Sequence, residues 1–285
     1  MNQKIAILTD SSSAIYSYPH SYKNLFMIDL PCFLGEVMFT DFAHNQNDQF
    51  FQALEGATDI PKTSQPSVGE MLVQYEAIRD AGYTHIIFLP ISRELSGTYQ
   101  NAHLAKEIVK GIEVIIIDTL TTTSILLEMS LFAAKWSNEG KTVEEIVTQI
   151  EDLKTRWGYY VTVSDLTALV KNGRLSNAKS FIANLFHIKP IIRFTKEGKL
   201  VGLQNVRTFK RALKVVVDLL KQEASPTAKI HLVYAKESPE VRFAYDLLQD
   251  SFPHQPIYKY SLPATIVAHV GLGAIGIGYL DTSLS

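Results

Sequence analysis

Three short apolar runs, each closing on hydroxyl side chains, constrain this chain more than any other feature. Ile5-Ala6-Ile7-Leu8 leads into Thr9-Asp10-Ser11-Ser12-Ser13, and His85-Ile86-Ile87-Phe88-Leu89 leads into a loop bearing Ser92, Ser96 and Thr98. Val114-Ile115-Ile116-Ile117 leads into Asp118-Thr119 and Thr121-Thr122-Thr123-Ser124. Short runs with so few polar members are what a parallel sheet buries on both faces. Between them lie helical patterns. Val68, Met71, Leu72, Tyr75 and Ile78 fall on one helix face closed by Gly82, and a second helix is predicted over 96–110. The β-α-β-α-β rhythm through residue 118 therefore predicts a parallel sheet with crossover helices.

Ligands of such sheets gather at the carboxyl ends of the strands. Ile91-Ser92-Arg93-Glu94-Leu95-Ser96-Gly97-Thr98-Tyr99-Gln100 sits at one such end, where a strand passes through a loop into a helix. A junction of that kind presents backbone N–H groups and the positive end of a helix dipole to an anion. Ser96 and Thr98 add hydroxyls, and Gly97 lets a ligand approach the backbone. A similar stretch lies upstream, Lys62-Thr63-Ser64-Gln65-Pro66-Ser67-Val68-Gly69-Glu70. Ser67 and Glu70 have capping-box spacing, which starts a helix and places Thr63 and Ser64 in the loop before it. Hydroxyls at these positions cap helices as readily as they bind anions. Two such stretches on successive βα units of one sheet point to a shared crevice.

The remaining sequence narrows the class of function. A net charge of −2 among 285 residues gives no general attraction for nucleic acid or anionic membrane. Cys32 is the only cysteine, so neither an intrachain disulfide nor a cysteine metal cluster fits. The eight histidines have no metal-site spacing and no G-x-S-x-G elbow occurs. The apolar runs are shorter than a membrane span, and Met1-Asn2-Gln3-Lys4 enters a strand without a signal-peptide core, so a cytoplasmic location is expected. Thr9-Asp10 lacks the second acid of an aspartyl-phosphate enzyme, because Ser12 stands two residues on. Gly271-Leu272-Gly273-Ala274-Ile275-Gly276 follows a helix and precedes the chain's last residues, so it reads as a helix C-cap and a close-packed strand, not a dinucleotide loop.

Residues 14–60 read as irregular. Helices are predicted over 123–138 and 142–157, the second with a capping box at Thr142 and Glu145. Beyond about residue 158 the rhythm changes to α+β, with a strand at 159–163 and short helices at 165–171 and 176–187. A hairpin through Lys196-Glu197-Gly198-Lys199 follows, then helix 208–223, strand 229–235, helix 239–250 and a closing strand at 274–280. A boundary near residue 156 divides an N-terminal α/β domain, 1–156, from a C-terminal α+β domain, 157–285.

Taken together and in this order, several stretches resemble the DegV family, the bacterial fatty acid-binding proteins that serve fatty acid kinase. They are Thr9-Asp10-Ser11-Ser12, Lys62-Thr63-Ser64-Gln65-Pro66-Ser67, Leu95-Ser96-Gly97-Thr98-Tyr99-Gln100, Asn172-Gly173-Arg174-Leu175-Ser176, Ile188-Lys189-Pro190-Ile191, Val206-Arg207-Thr208 and His269-Val270-Gly271. The resemblance implies a two-domain fold with an N-terminal parallel sheet and a C-terminal lipid-binding α+β domain. A long-chain fatty acid would occupy a tunnel with its carboxylate near the domain interface. Thr63, Ser96 and His269 match the family's head-group site, with Ser64, Gly97 and Thr98 beside it. Arg207 and Arg174 match positions expected to face the partner, an ATP-dependent kinase that makes the acyl-phosphate. No metal or cofactor and no chemistry by this chain itself are implied. Phe181, Ile182, Leu185, Phe186 and Ile188 are candidates to line the tunnel or to be ordinary core. The competing reading is a hydrolase or phosphotransferase on a small anionic substrate using Ser96 and His269. The sequence departs from the family at Ala268, at Gly271-Leu272-Gly273, at Thr119 for a usual Ser, and at Asn172 for a usual Gly. These departures bear on pocket shape and acyl-chain preference.

Overall fold

Every residue of β1 (Ile5–Asp10) is buried, the apolar Ile5-Ala6-Ile7-Leu8 and the polar Thr9 and Asp10 alike, as a strand covered on both faces requires. The computed structural model describes residues 3–40, 42, 46–181 and 188–283. Within it the chain divides between Lys154 and Thr155 into two compact units.

In the first unit β1 is followed by β2 (Leu25–Ile28), after which the chain leaves the sheet. β3 (Cys32–Leu34) turns into β4 (Val37–Phe39) through Gly35, whose φ of +59° suits glycine. After α1 (Gln46–Leu54), the two-residue β5 (Lys62–Thr63) comes back to pair with β3, setting Thr63 opposite Cys32. α2 (Val68–Asp80), β6 (His85–Leu89), α3 (Thr98–Ile108) and β7 (Glu113–Ile116) restore the alternation, and α4 (Thr123–Asn138) and α5 (Val143–Leu153) close the unit. The strand order β2-β1-β6-β7 is parallel throughout, as the rhythm predicts.

Residues 14–60, expected to be irregular, thus contain three strands and a helix among the described residues. The strands have only three or four residues, too few for a period of two to show. Thr63 lies in a strand instead of a loop, and that strand belongs to the small antiparallel sheet β4-β3-β5. The Lys62–Ser67 stretch is therefore not part of a βα unit of the parallel sheet. Both predicted capping boxes are present, Ser67 with Glu70 and Thr142 with Glu145. α2 buries Met71, Tyr75 and Ile78 against Ile86 and Phe88 of β6 and Ala102 and Ala105 of α3. Each fully buried large apolar side chain is worth roughly 1.5–3 kcal/mol. The small residues of α3 let the two helices pack closely.

The second unit holds β8 (Trp157–Thr162), α6 (Thr167–Lys171), α7 (Ala178–Phe181), β9 (Lys189–Phe194), β10 (Leu200–Val206), α8 (Phe209–Glu223), β11 (Lys229–Tyr234), α9 (Pro239–Ser251), β12 (Ile257–Ser261), α10 (Ala264–Val270) and β13 (Ile275–Leu280). Its sheet runs β10-β9-β8-β13-β11-β12, antiparallel except for the β11–β12 pair. α8 and α9 supply Leu213, Val216, Leu220, Ala244 and Leu248 to a core shared with Tyr160, Ile230 and Ile277. Of the helix expected over 176–187, the structure describes Ala178–Phe181; Ile182, Leu185 and Phe186 lie outside the described residues. Gly271 caps α10 at φ +79°, and Gly276 is a strand residue.

Candidate functional site

The loop after β6 is held from both sides. β6 lies between β1 and β7, and each neighbour ends in a carboxylate that reaches the loop. Asp10, the last residue of β1, accepts the Ile91 N–H on Oδ2 at 2.7 Å and the Ser12 N–H and hydroxyl on Oδ1 at 3.0 and 2.6 Å. Desolvation by burial pushes its pKa up to about 6 against the lowering effect of these three bonds, so it is ionised at neutral pH. Asp118, just past β7, accepts the Arg93 N–H at 3.3 Å and pairs with the Arg93 guanidinium at 3.2 Å. Between them the Ser92 N–H donates to the Thr121 carbonyl at 2.9 Å.

Inside the loop Ser92 is the hub. Its carbonyl accepts the N–H groups of Leu95 and Ser96, and its hydroxyl accepts that of Glu94 at 3.3 Å. The N–H groups of residues 91–96, expected to face an anion, are thus engaged inside the unit. What the loop presents instead is the Ser96 hydroxyl, half-buried and 2.8 Å from the buried Thr98 hydroxyl. Among the described residues, no imidazole or carboxylate is hydrogen-bonded to Ser96.

The Thr63 stretch meets this loop directly. A Cβ added at Gly97 would lie 3.0 Å from the Gln65 side chain, so Gly97 is where Gln65 crosses. Asn101 of α3 donates to the Pro66 carbonyl at 2.8 Å. Pairing with β3 and the 3.0 Å bond from Ser64 N–H to the Pro31 carbonyl fix the other side of the stretch. The two hydroxyl-bearing segments are therefore neighbours although they arise from different sheets. Thr63 and Ser64 are both half-buried.

His269 belongs to the second unit, near the end of α10, whose helix packs on α6. Its Nδ1 lies 3.2 Å from the side-chain amide nitrogen of Asn172, the C-cap of α6. With that nitrogen as donor, Nδ1 accepts and the ring proton resides on Nε2. Desolvation, with the positive charge of Arg174 adding to it, pushes the His269 pKa down to about 4. The imidazole is neutral at physiological pH. Arg174 is half-buried and folds back to donate to the Asn172 carbonyl.

A family model described as "Uncharacterised protein, DegV family" matches residues 4–282. The chain belongs to the DegV family. A DegV domain-containing protein of Streptococcus pyogenes serotype M6 is 33% identical over 276 residues, which span 96% of this chain and 98% of that one. Among solved structures, the fatty acid binding DegV family protein of Streptococcus agalactiae is 29% identical with a TM-score of 0.88, covering 99% of this chain and 100% of its own. DegV of Bacillus subtilis, described as a fatty acid binding protein, is 27% identical with a TM-score of 0.85, covering 98% of this chain and 100% of its own.

Within this DegV fold, Thr63, Ser64, Ser96, Gly97 and Thr98 fall in one neighbourhood of the first unit, whereas His269, Arg174 and Arg207 lie in the second. Arg207 is exposed just before Thr208, the N-cap of α8. Sequence reasoning missed the residues that hold this arrangement: Asp10 and Asp118 beneath the Ser96 loop, Gln65 and Asn101 across the two segments, and Asn172 on the histidine. The signal for Asn172 was its difference from the glycine that the resemblance implies there. For the two aspartates it was their shared place at strand ends. Among the described residues, no group of three or more His, Cys, Asp or Glu side chains could hold a metal ion, and no helix is long and apolar enough to cross a membrane.

Proposed function

We propose that this chain binds a long-chain fatty acid and presents its carboxylate to a partner kinase for acyl-phosphate formation, without itself performing chemistry. The observation that carries the reading is the pinning of the Thr63 and Ser96 segments to each other, with two uncharged hydroxyl residues left half-buried there. Hydroxyl donors hold a carboxylate without the large pKa depression that an arginine would bring, so its oxygen remains able to attack a phosphoryl group. The relatives described as fatty acid binding support the ligand class. From the resemblance alone we infer that the neutral His269 assists at the acid group and that Arg207 faces the kinase. Burying the 14 methylenes of a C16 chain contributes on the order of 11 kcal/mol gross, before the costs of binding.

Mass spectrometry of an organic extract of the purified protein tests this first. Stoichiometric fatty acid is the expected result. A clean extract, together with hydrolytic turnover that disappears in Ser96→Ala, would establish the hydrolase reading instead. Affinity then locates the head group. A hydrogen bond to a charged group is worth roughly 1.5–3 kcal/mol, so Ser96→Ala and Thr63→Ala should each weaken acid binding by about ten- to a hundredfold. The methyl ester, which carries no charge, should respond much less. Equal losses for acid and ester would place the carboxylate elsewhere.

A further inference from the structure

We propose that Asp10 and Asp118 are positioning residues for the fatty acid head group, acting through the backbone of the Ser96 loop. The inference rests on reading Ser96 as a carboxylate ligand, and it assigns a role to two side chains that do not themselves bind the acid. Three consecutive N–H groups at the base of the loop are anchored outside it: Ile91 to Asp10 at 2.7 Å, Ser92 to the Thr121 carbonyl at 2.9 Å, and Arg93 to Asp118 at 3.3 Å. The Ser92 carbonyl, whose place these anchors fix, accepts the N–H of Ser96 at 3.2 Å. Two peptide hydrogen bonds thus separate each carboxylate from the residue whose hydroxyl is presented.

The arrangement has a geometric logic. β6 is flanked by β1 and β7, so a carboxylate at the end of each neighbour reaches the loop from opposite sides. Water cannot readily replace the Asp10 anchor, because Asp10 is fully buried and its Oδ2 meets a buried N–H. Charge-assisted bonds of this kind are stronger and more directional than neutral ones. Replacing Asp10 by Asn keeps the shape but reverses part of the bonding. One amide oxygen can accept from Ser12 or from Ile91, and the amide NH2 must then face the other donor. In either orientation one backbone donor faces the NH2 group, so the substituted side chain shifts within its buried site and carries the Ile91 contact, and through it Ser96, with it.

The test compares acid and methyl ester of one chain length on wild type, Asp10→Asn, Asp118→Ala and Ser96→Ala, each checked for folding by circular dichroism and thermal melting. General loosening of the protein weakens acid and ester together, whereas misplacing the head-group loop weakens only the acid. The acid-to-ester affinity ratio of Asp10→Asn is expected to fall about tenfold, and that of Asp118→Ala by less, since its anchor is longer and nearer solvent. Should Asp10→Asn fail to fold, Asp118→Ala decides. A wild-type ratio in either folded variant, alongside a collapsed ratio in Ser96→Ala, would overturn the inference while leaving the fatty acid reading intact. A wild-type protein that does not prefer acid to ester would overturn the head-group reading and this inference with it.

Discussion

At the scale of single residues, His269 is defined by what surrounds it more than by being a histidine. Burial and the Arg174 charge both disfavour the imidazolium, and the Asn172 amide directs the remaining proton to Nε2. A neutral ring in such a setting carries a proton on Nε2 and no charge. Because the folded pKa of about 4 lies below the ordinary 6.5, the unfolded chain binds the proton more readily between these values. Stability from this group is therefore complete above pH 6.5 and is lost as the pH falls towards 4, by roughly 3 kcal/mol in all. Proton NMR of the His269 ring should show it neutral at pH 5.5. Arg174→Ala should raise its pKa, since a positive neighbour has been removed. A ring that titrates near 6.5 in the wild type would contradict the desolvated environment, and an unchanged pKa in Arg174→Ala would remove the arginine from the account. The resemblance leads to an expectation of glycine at position 172, which would lack any side chain to hold the ring; Asn172 supplies one. That departure, visible in the sequence only as a difference, acquires a physical meaning once α6 and α10 are seen to pack.

At the scale of elements, β13 shows how a strand can be selected by its neighbour's side chain. Tyr159 of β8 lies across Gly276 and Gly278: a Cβ at Gly276 would meet the Tyr159 hydroxyl at 2.2 Å, and one at Gly278 would meet its ring at 2.5 Å and the Gly158 carbonyl at 2.7 Å. Alanine at either site should cost about 1–3 kcal/mol by overpacking, read from urea unfolding. The two sites should differ in a double-mutant cycle with Tyr159→Phe. Deleting the hydroxyl should recover part of the loss at Gly276 and little at Gly278, where ring and backbone remain in the way. Equal recovery at both would show that Tyr159 does not lie as described. The glycines had suggested a close-packed strand from sequence alone, but which ring they accommodate depends on the β8–β13 register, which no local pattern encodes. The same distinction runs through the fold. Capping boxes at Ser67 and Thr142, and the central strands of the parallel sheet, were legible because their signals lie within a few residues. β3, β4 and β5 were not, because a short strand takes its identity from a partner distant in sequence, as Thr63 does from Cys32. The Thr63–Ser96 neighbourhood was anticipated for a reason that proved incomplete. The segments meet through Gln65, Gly97, Pro66 and Asn101, not through successive units of one sheet.

At the scale of the whole molecule, a chain of net charge −2 has little general electrostatic attraction for a partner, so recognition has to come from local features. On the function proposed above, Arg207 is the candidate for such a feature. It is exposed, it immediately precedes the capped start of α8, and among the described residues it makes no hydrogen bond or ion pair. A long, charged side chain as exposed as this contributes little to the fold and is open to an acidic surface on another protein. Arg207→Ala should therefore leave the thermal midpoint and the amount of co-purified fatty acid unchanged. In the presence of the cognate kinase and ATP it should slow acyl-phosphate formation, by up to about fivefold if the contact resembles other exposed ion pairs. The effect belongs to association, so it should be largest at low salt and shrink as salt rises, because the screening length falls from about 10 Å at 0.1 M to about 3 Å at 1 M. Lipid content and turnover measured on the same preparation separate the two possible roles. Retained lipid with slowed, salt-sensitive turnover supports a kinase-facing arginine. Lost lipid, with normal turnover of whatever remains bound, would make Arg207 part of the lipid site and remove it from the partner surface.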